Sequence, residues 1–145
     1  MIFCYIIKVK LKAQISDKCE ISLNQSKEDS TQLDCFGSYT LLKKINQYRI
    51  DYGDHPKNWP ERPVVDNEDI VINEIIQKAK NNYALSYQHE ELCHCRMVET
   101  EVVLQAIKQG CRSVRQISRV TKAGTGCGSC VPHIDQMLRE ILKKS

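Results

Sequence analysis

Thr121-Lys122-Ala123-Gly124-Thr125-Gly126-Cys127-Gly128-Ser129-Cys130 sets three glycines and two cysteines in one short run, answered upstream by Cys93-His94-Cys95. Between the two cysteine pairs lie 31 residues. Two close pairs supply four thiolates, which a Cys4 zinc site and a [2Fe–2S] cluster both require. The surroundings favour the cluster. Gly124, Gly126 and Gly128 let the backbone come close with its N–H groups, and hydrogen bonds to cluster sulfurs are a main lever on potential. Cys130 stands just ahead of Pro132, a good first-turn residue, so a helix dipole favours a thiolate there. Zinc sites more often draw on wider Cys pairs than on Cys-x-Cys.

Working outward, the flanking residues read as helices. Val102, Val103, Ala106 and Ile107 form one helical face, and Gly110 stands where a helix would end in a left-handed residue. Ser113 and Gln116 are spaced as a capping box for a second short helix, with Val114, Ile117 and Val120 as its buried face. Ile134, Met137, Leu138, Ile141 and Leu142 make the apolar stripe of a third. Three short helices enclose a small core, which would gain from a metal staple.

Cys93-x-Cys95, then Cys127-x-x-Cys130 inside the Thr121–Cys130 run, resembles the BFD-like (bacterioferritin-associated-ferredoxin-like) [2Fe–2S]-binding domain over about residues 92–142. The resemblance takes in Gly110, Ser113 and the helix stripes. It implies a helical module with the cluster between two loops near the surface, ligated by Cys93, Cys95, Cys127 and Cys130. Such domains occur as small ferredoxins, inside NifU-type assembly scaffolds, and in nitrite reductases and copper chaperones. Glu99 departs from the Ser or Thr that usually caps the first helix of the family, and Thr100 is the nearest substitute. The opening of the scaffold's building domain is missing, although Cys4, Cys19 and Cys35 are present.

The rest of the 145-residue chain reads as α+β. Residues 7–16 alternate, with Ile7, Val9, Leu11, Ala13 and Ile15 on one face and a run of lysines on the other. Cys19–Leu23 makes a returning strand, and residues 24–32 read as loop. A helix is expected over Tyr39–Ile50, with Leu41, Leu42, Ile45 and Tyr48 at helical spacing. A second helix is expected from Asp66 to about Asn82, with Ile72, Ile75, Ile76 and Ala79 as its stripe. The proline-rich stretch between them is irregular, with Trp59 as packing anchor.

Composition narrows the function classes. With 41% hydrophobic and 27% charged residues, the chain is neither collagen-like nor wholly disordered. No apolar run approaches the ~20 residues of a membrane span. The apolar start, Met1–Ile7, has no basic region before it and no cleavage site after it, which argues for a cytoplasmic protein. Residues 93–145 carry nine Lys/Arg against four acids, while residues 1–92 carry twelve against fourteen. Arg112, Arg115, Arg119 and Lys122 read as a solvated face that offsets cluster charge. Cys19 and Cys111 read as packing, and His89, His94 and His133 as exposed. No nucleophile–base arrangement marks an enzyme.

The expected architecture is a small N-terminal hairpin-plus-helices unit over 1–88, then a three-helix [2Fe–2S]-binding module over 89–145. The expected function is one-electron transfer to a protein redox or iron-handling partner, with neither nucleic acid nor membrane involved. Cluster assembly or carriage is the alternative, and a zinc-stapled interaction module a further one.

Overall fold

In a computed structural model, residues 9–16, 18–25, 31–85 and 87–143 are described, and these fall into two units. The first comprises residues up to 62 together with 71–83. Its three strands, β1 (Val9–Ile15), β2 (Cys19–Gln25) and β3 (Thr31–Phe36), form an antiparallel sheet in that order. The expected hairpin is there, with Ile15 paired to Cys19 and Leu11 to Leu23. Its turn closes with the Lys18 N–H donating to the Ile15 carbonyl at 2.9 Å. Expected strand residues Ile7 and Lys8 lie outside the described residues, as does Cys4.

Two strand ends correct the loop expected over residues 24–32, since Asn24 and Gln25 belong to β2 and Thr31 and Gln32 to β3. β3 pairs with β2 so that Leu33 meets Leu23 and Cys35 meets Ile21. With only these two inward residues, and with Phe36 apolar on the outer face, its alternation is too short to stand out. Strand alternation turns Ala13, Ile15, Cys19, Ile21, Leu23 and Leu33 to one face. There they share a core with Leu41, Ile45 and Tyr48 of α1 (Tyr39–Tyr52) and with Val71, Ile72, Ile75 and Ile76 of α2 (Asn67–Ala79). Leu42, expected on that helix face, is instead 43% exposed. Trp59 is fully buried as expected, stacks on Tyr48 at 4.9 Å and donates Nε1–H to the Gly53 carbonyl.

The second unit comprises residues 63–70 and 84 onward, so the division falls within α2. At the start of α2, Asp66 accepts from the Asp69 N–H while Asp69 accepts from the Val65 and Asp66 N–H groups. These carboxylates satisfy donors that a helix start leaves orphaned. A short antiparallel pair follows, β4 (Glu91–Cys93) and β5 (Val98–Glu99), then α3 (Thr100–Lys108), α4 (Val114–Thr121) and α5 (Val131–Leu142). All three expected helices are present. Their core joins Leu92 and Val98 to Val103, Leu104, Ile107, Ile117, Ile134, Met137, Leu138 and Leu142. Fully burying each such side chain contributes about 1.5–3 kcal/mol.

Three local expectations need correction. Val102 is 46% and Val120 67% exposed, and the buried Ala123 and Leu104 fill the core in their stead. Steps of three residues drift around a helix of 3.6 per turn, so Val114, Ile117 and Val120 do not keep to one side. Arg112 is not solvated: its guanidinium donates to the Ile107 and Cys111 carbonyls and to Asn67 Oδ1. Ser113 caps α4 by accepting from the Gln116 N–H, but Gln116 returns its own bond to the Arg112 N–H, one residue before the cap. Among the described residues no helix is long and apolar enough to cross a membrane.

Candidate metal centre

Two loops of the second unit carry the thiols. Cys93 ends β4, and Cys95 follows in the turn toward β5. Cys127 lies in the loop after α4, and Cys130 stands at the N-cap of α5. The first loop is held against the helices. Glu99, with no side-chain cap bond, leaves the start of α3 to Thr100, whose N–H and hydroxyl donate to the Glu90 and His89 carbonyls. In the second, Lys122 caps α4 in a left-handed conformation, and Thr125 Oγ1 donates to its carbonyl.

These loops bring the four thiols together. Cys95 Sγ is 3.7 Å from both Cys93 Sγ and Cys127 Sγ, and the free thiol of Cys130 lies within interaction range of Cys93. Tetrahedral metal–thiolate bonds of about 2.3 Å put sulfurs about 3.8 Å apart, so the observed separation is a ligand-pair distance. Four thiols linked in this way can serve a two-iron group, where each iron takes two of them. Burial is uneven. Cys93 and Cys130 are 1% and 4% exposed, whereas Cys95 and Cys127 are open to solvent.

The loop backbone is built around sulfur. Gly126 has no room for a side chain, since a Cβ there would stand 2.5 Å from Cys95 Sγ. Burial opposes ionisation of Cys93, yet the N–H groups of Gly124 and Arg96, with the thiols of Cys130 and Cys95, hold its pKa below the ordinary value. The Ser129 hydroxyl and N–H, with Cys95 beside them, lower Cys127 to about 7. The Cys127 N–H favours a Cys95 thiolate, but the neighbouring thiols of Cys93 and Cys127 push its pKa up. Burial first, then Cys93, push up Cys130 against the Gly124 N–H, so the expected benefit of the helix start is outweighed there. Donors aimed at all four sulfurs are what a ligated cluster uses to set its potential. The residues present therefore fit a [2Fe–2S] group.

Ser129 was not singled out by the sequence, although a hydroxyl two residues after a cysteine is a readable signal for a sulfur hydrogen bond. His94 is exposed and pairs through Nδ1 with Glu91 at 2.7 Å. His89 and His133 are exposed as expected, and Cys111 packs against the core.

Comparison with known proteins agrees with this geometry. A family model described as BFD-like [2Fe-2S] binding domain matches residues 92–140. The bacterioferritin-associated ferredoxin of Pseudomonas aeruginosa is 37% identical over 51 residues, 35% of this chain and 70% of that ferredoxin. The nitrite reductase (NADH) large subunit of Escherichia coli is 41% identical over 54 residues, 37% of this chain and 6% of the subunit. A nitrite reductase [NAD(P)H] of Bacillus subtilis is 28% identical over 74 residues, 50% of this chain and 9% of the enzyme. The chain thus spans less than a tenth of the length of these nitrite reductases. No solved structure matches it significantly. Through residues 92–140 the chain belongs to the BFD-like [2Fe–2S]-binding family, and a [2Fe–2S] cluster is its cofactor.

Proposed function

We propose that Cys93, Cys95, Cys127 and Cys130 ligate the cluster, and that the chain is a one-electron carrier to a protein partner in the cytoplasm rather than an enzyme. The observation that carries this reading is the uneven burial of the thiols. Cys93 and Cys130 anchor the site in the core, while Cys95 and Cys127 bring its other side to the surface. When bound, the cluster supplies a single reversible electron. The protein's part is to bind, shield and present it. Backbone N–H groups of Arg96, Gly124, Cys127 and Ser129 stabilise negative charge on the sulfurs. Exposed Met97, 81% open, gives the thiol loop an apolar contact point, and exposed Arg96 and Lys122 favour an acidic partner surface. Likeness to a bacterioferritin-associated ferredoxin and to nitrite reductases supports an iron-storage or reductase partner. Residues 1–88 would position that partner, and residues 89–145 would carry the electron.

The test is anaerobic purification with iron, sulfide and zinc counts, then a mediated redox titration followed by absorption. Two irons and two sulfides per chain with a reversible one-electron step support the reading. A colourless protein holding zinc, or a cluster with no reversible reduction, overturns it. The alternative of cluster assembly finds less support in the first unit. Cys19 is buried, and burial chiefly, opposed by Arg49 and aided by Cys19, pushes Cys35 up to about 11. Transfer to an apo-ferredoxin above the rate with free iron and sulfide would favour it instead.

A further inference from the structure

Three of the protein's four histidines surround one cleft. Tyr87, Gln88, His89, His94, His133 and Gln136 line a cavity of about 720 Å³, all within the thiol-bearing unit. The Tyr87 ring meets the His89 ring edge-on at 5.3 Å and the His133 ring, tilted, at 4.8 Å. The wall is fixed in place. Tyr87 packs on the core and donates its hydroxyl to the Glu91 carbonyl at 2.8 Å. The His89 carbonyl accepts from Thr100 Oγ1, and His94 is held by Glu91. His133 and Gln136 come from the first turns of α5.

The lining chemistry is narrow: four aromatic rings and two carboxamides. Rings offer flat faces and edges for stacking, and carboxamides offer paired donors and acceptors. A cavity of this size matches small-molecule sites, which run to about 300–1,000 Å³. It is far larger than one cation needs, and among the described residues no three ligating side chains gather for an ion. We propose that this cleft binds a planar, hydrogen-bonding aromatic ring of the flavin or quinone class. His94 lies between Cys93 and Cys95 in sequence, so the occupant sits beside the thiol turn. The proposal stands apart from the ligand assignment: iron and sulfide counts test that one, and ring retention tests this one.

The experiment is equilibrium dialysis of the full-length, cluster-loaded protein with riboflavin, then with duroquinone, whose fully substituted ring does not add thiols. Saturable retention is expected. It should weaken at least about tenfold in the double variant His133→Ala/Gln136→Ala, with iron and sulfide content unchanged. Should that variant lose iron, His89→Ala, on the other contact of Tyr87, is expected to weaken retention in the same way. Retention of riboflavin displaced by duroquinone supports the ring class, and retention of duroquinone alone narrows it to quinones. No saturable retention of either ring overturns the proposal. So does retention that the variants leave unchanged, or zinc retention that they abolish while neither ring is held.

Discussion

Gly126 and Cys95 are so close that a methyl group on the glycine would have to displace the sulfur or the loop backbone. Gly126→Ala should therefore lower iron content per chain severalfold while far-ultraviolet circular dichroism stays at wild type, because the glycine lies outside every helix and strand. Cys127→Ser should do the same, whereas Cys111→Ser should leave iron content unchanged. At Cys35 the consequence is a pH dependence. Burial chiefly raises its pKa from 9.0 to about 11, with Arg49 opposing, so the fold favours the neutral thiol. A raised pKa gives stability that is complete below the unfolded value and is lost as pH climbs through the folded one. Between pH 9.0 and about 11 the wild type should therefore lose more thermal stability than Cys35→Ser, which does not titrate there. Equal losses in the two proteins would show that Cys35 is not the titrating group.

Among the elements, the short helices of the thiol-bearing unit depend on their ends and on single core residues. Ser113 Oγ accepts the Gln116 N–H, and Ser113→Ala should cost about 1 kcal/mol in thermal or urea unfolding. Fully buried Ile134 should cost about 2–5 kcal/mol when cut to alanine. Lys122 adopts φ 71°, a left-handed conformation that strains a side-chain-bearing residue by about 1–2 kcal/mol. How much of this was legible in the sequence varies with element length. The five apolar positions of α5 announced a helix because the stripe ran over more than two turns. β3 announced nothing, since Leu33 and Cys35 are too few to show a period of two. Val120 misled because a spacing of three over an eight-residue helix fits either side of it. The thiol pairs were plain from spacing alone. The N–H donors that serve them were not, because backbone direction follows from loop conformation rather than from residue type.

For the molecule as a whole, each unit has its own hydrophobic core, one built on the sheet and one on the helices. Removing iron with a chelator should therefore speed amide exchange chiefly in the 93–97 and 122–130 loops, while β1, β2 and β3 stay protected. Hydrogen-exchange mass spectrometry reads this directly, and equal loosening of the sheet would contradict it. The unequal cover of the four sulfurs has a chemical corollary. Iodoacetamide added to the reduced, iron-free chain should label Cys95 and Cys127 well before Cys93 and Cys130. Dioxygen, peroxide and metal scavengers approach by the same open side. With these four thiols as the proposed ligands, two of the protein's eight cysteines should govern its shelf life in air, and a partner that covers them should double as a shield.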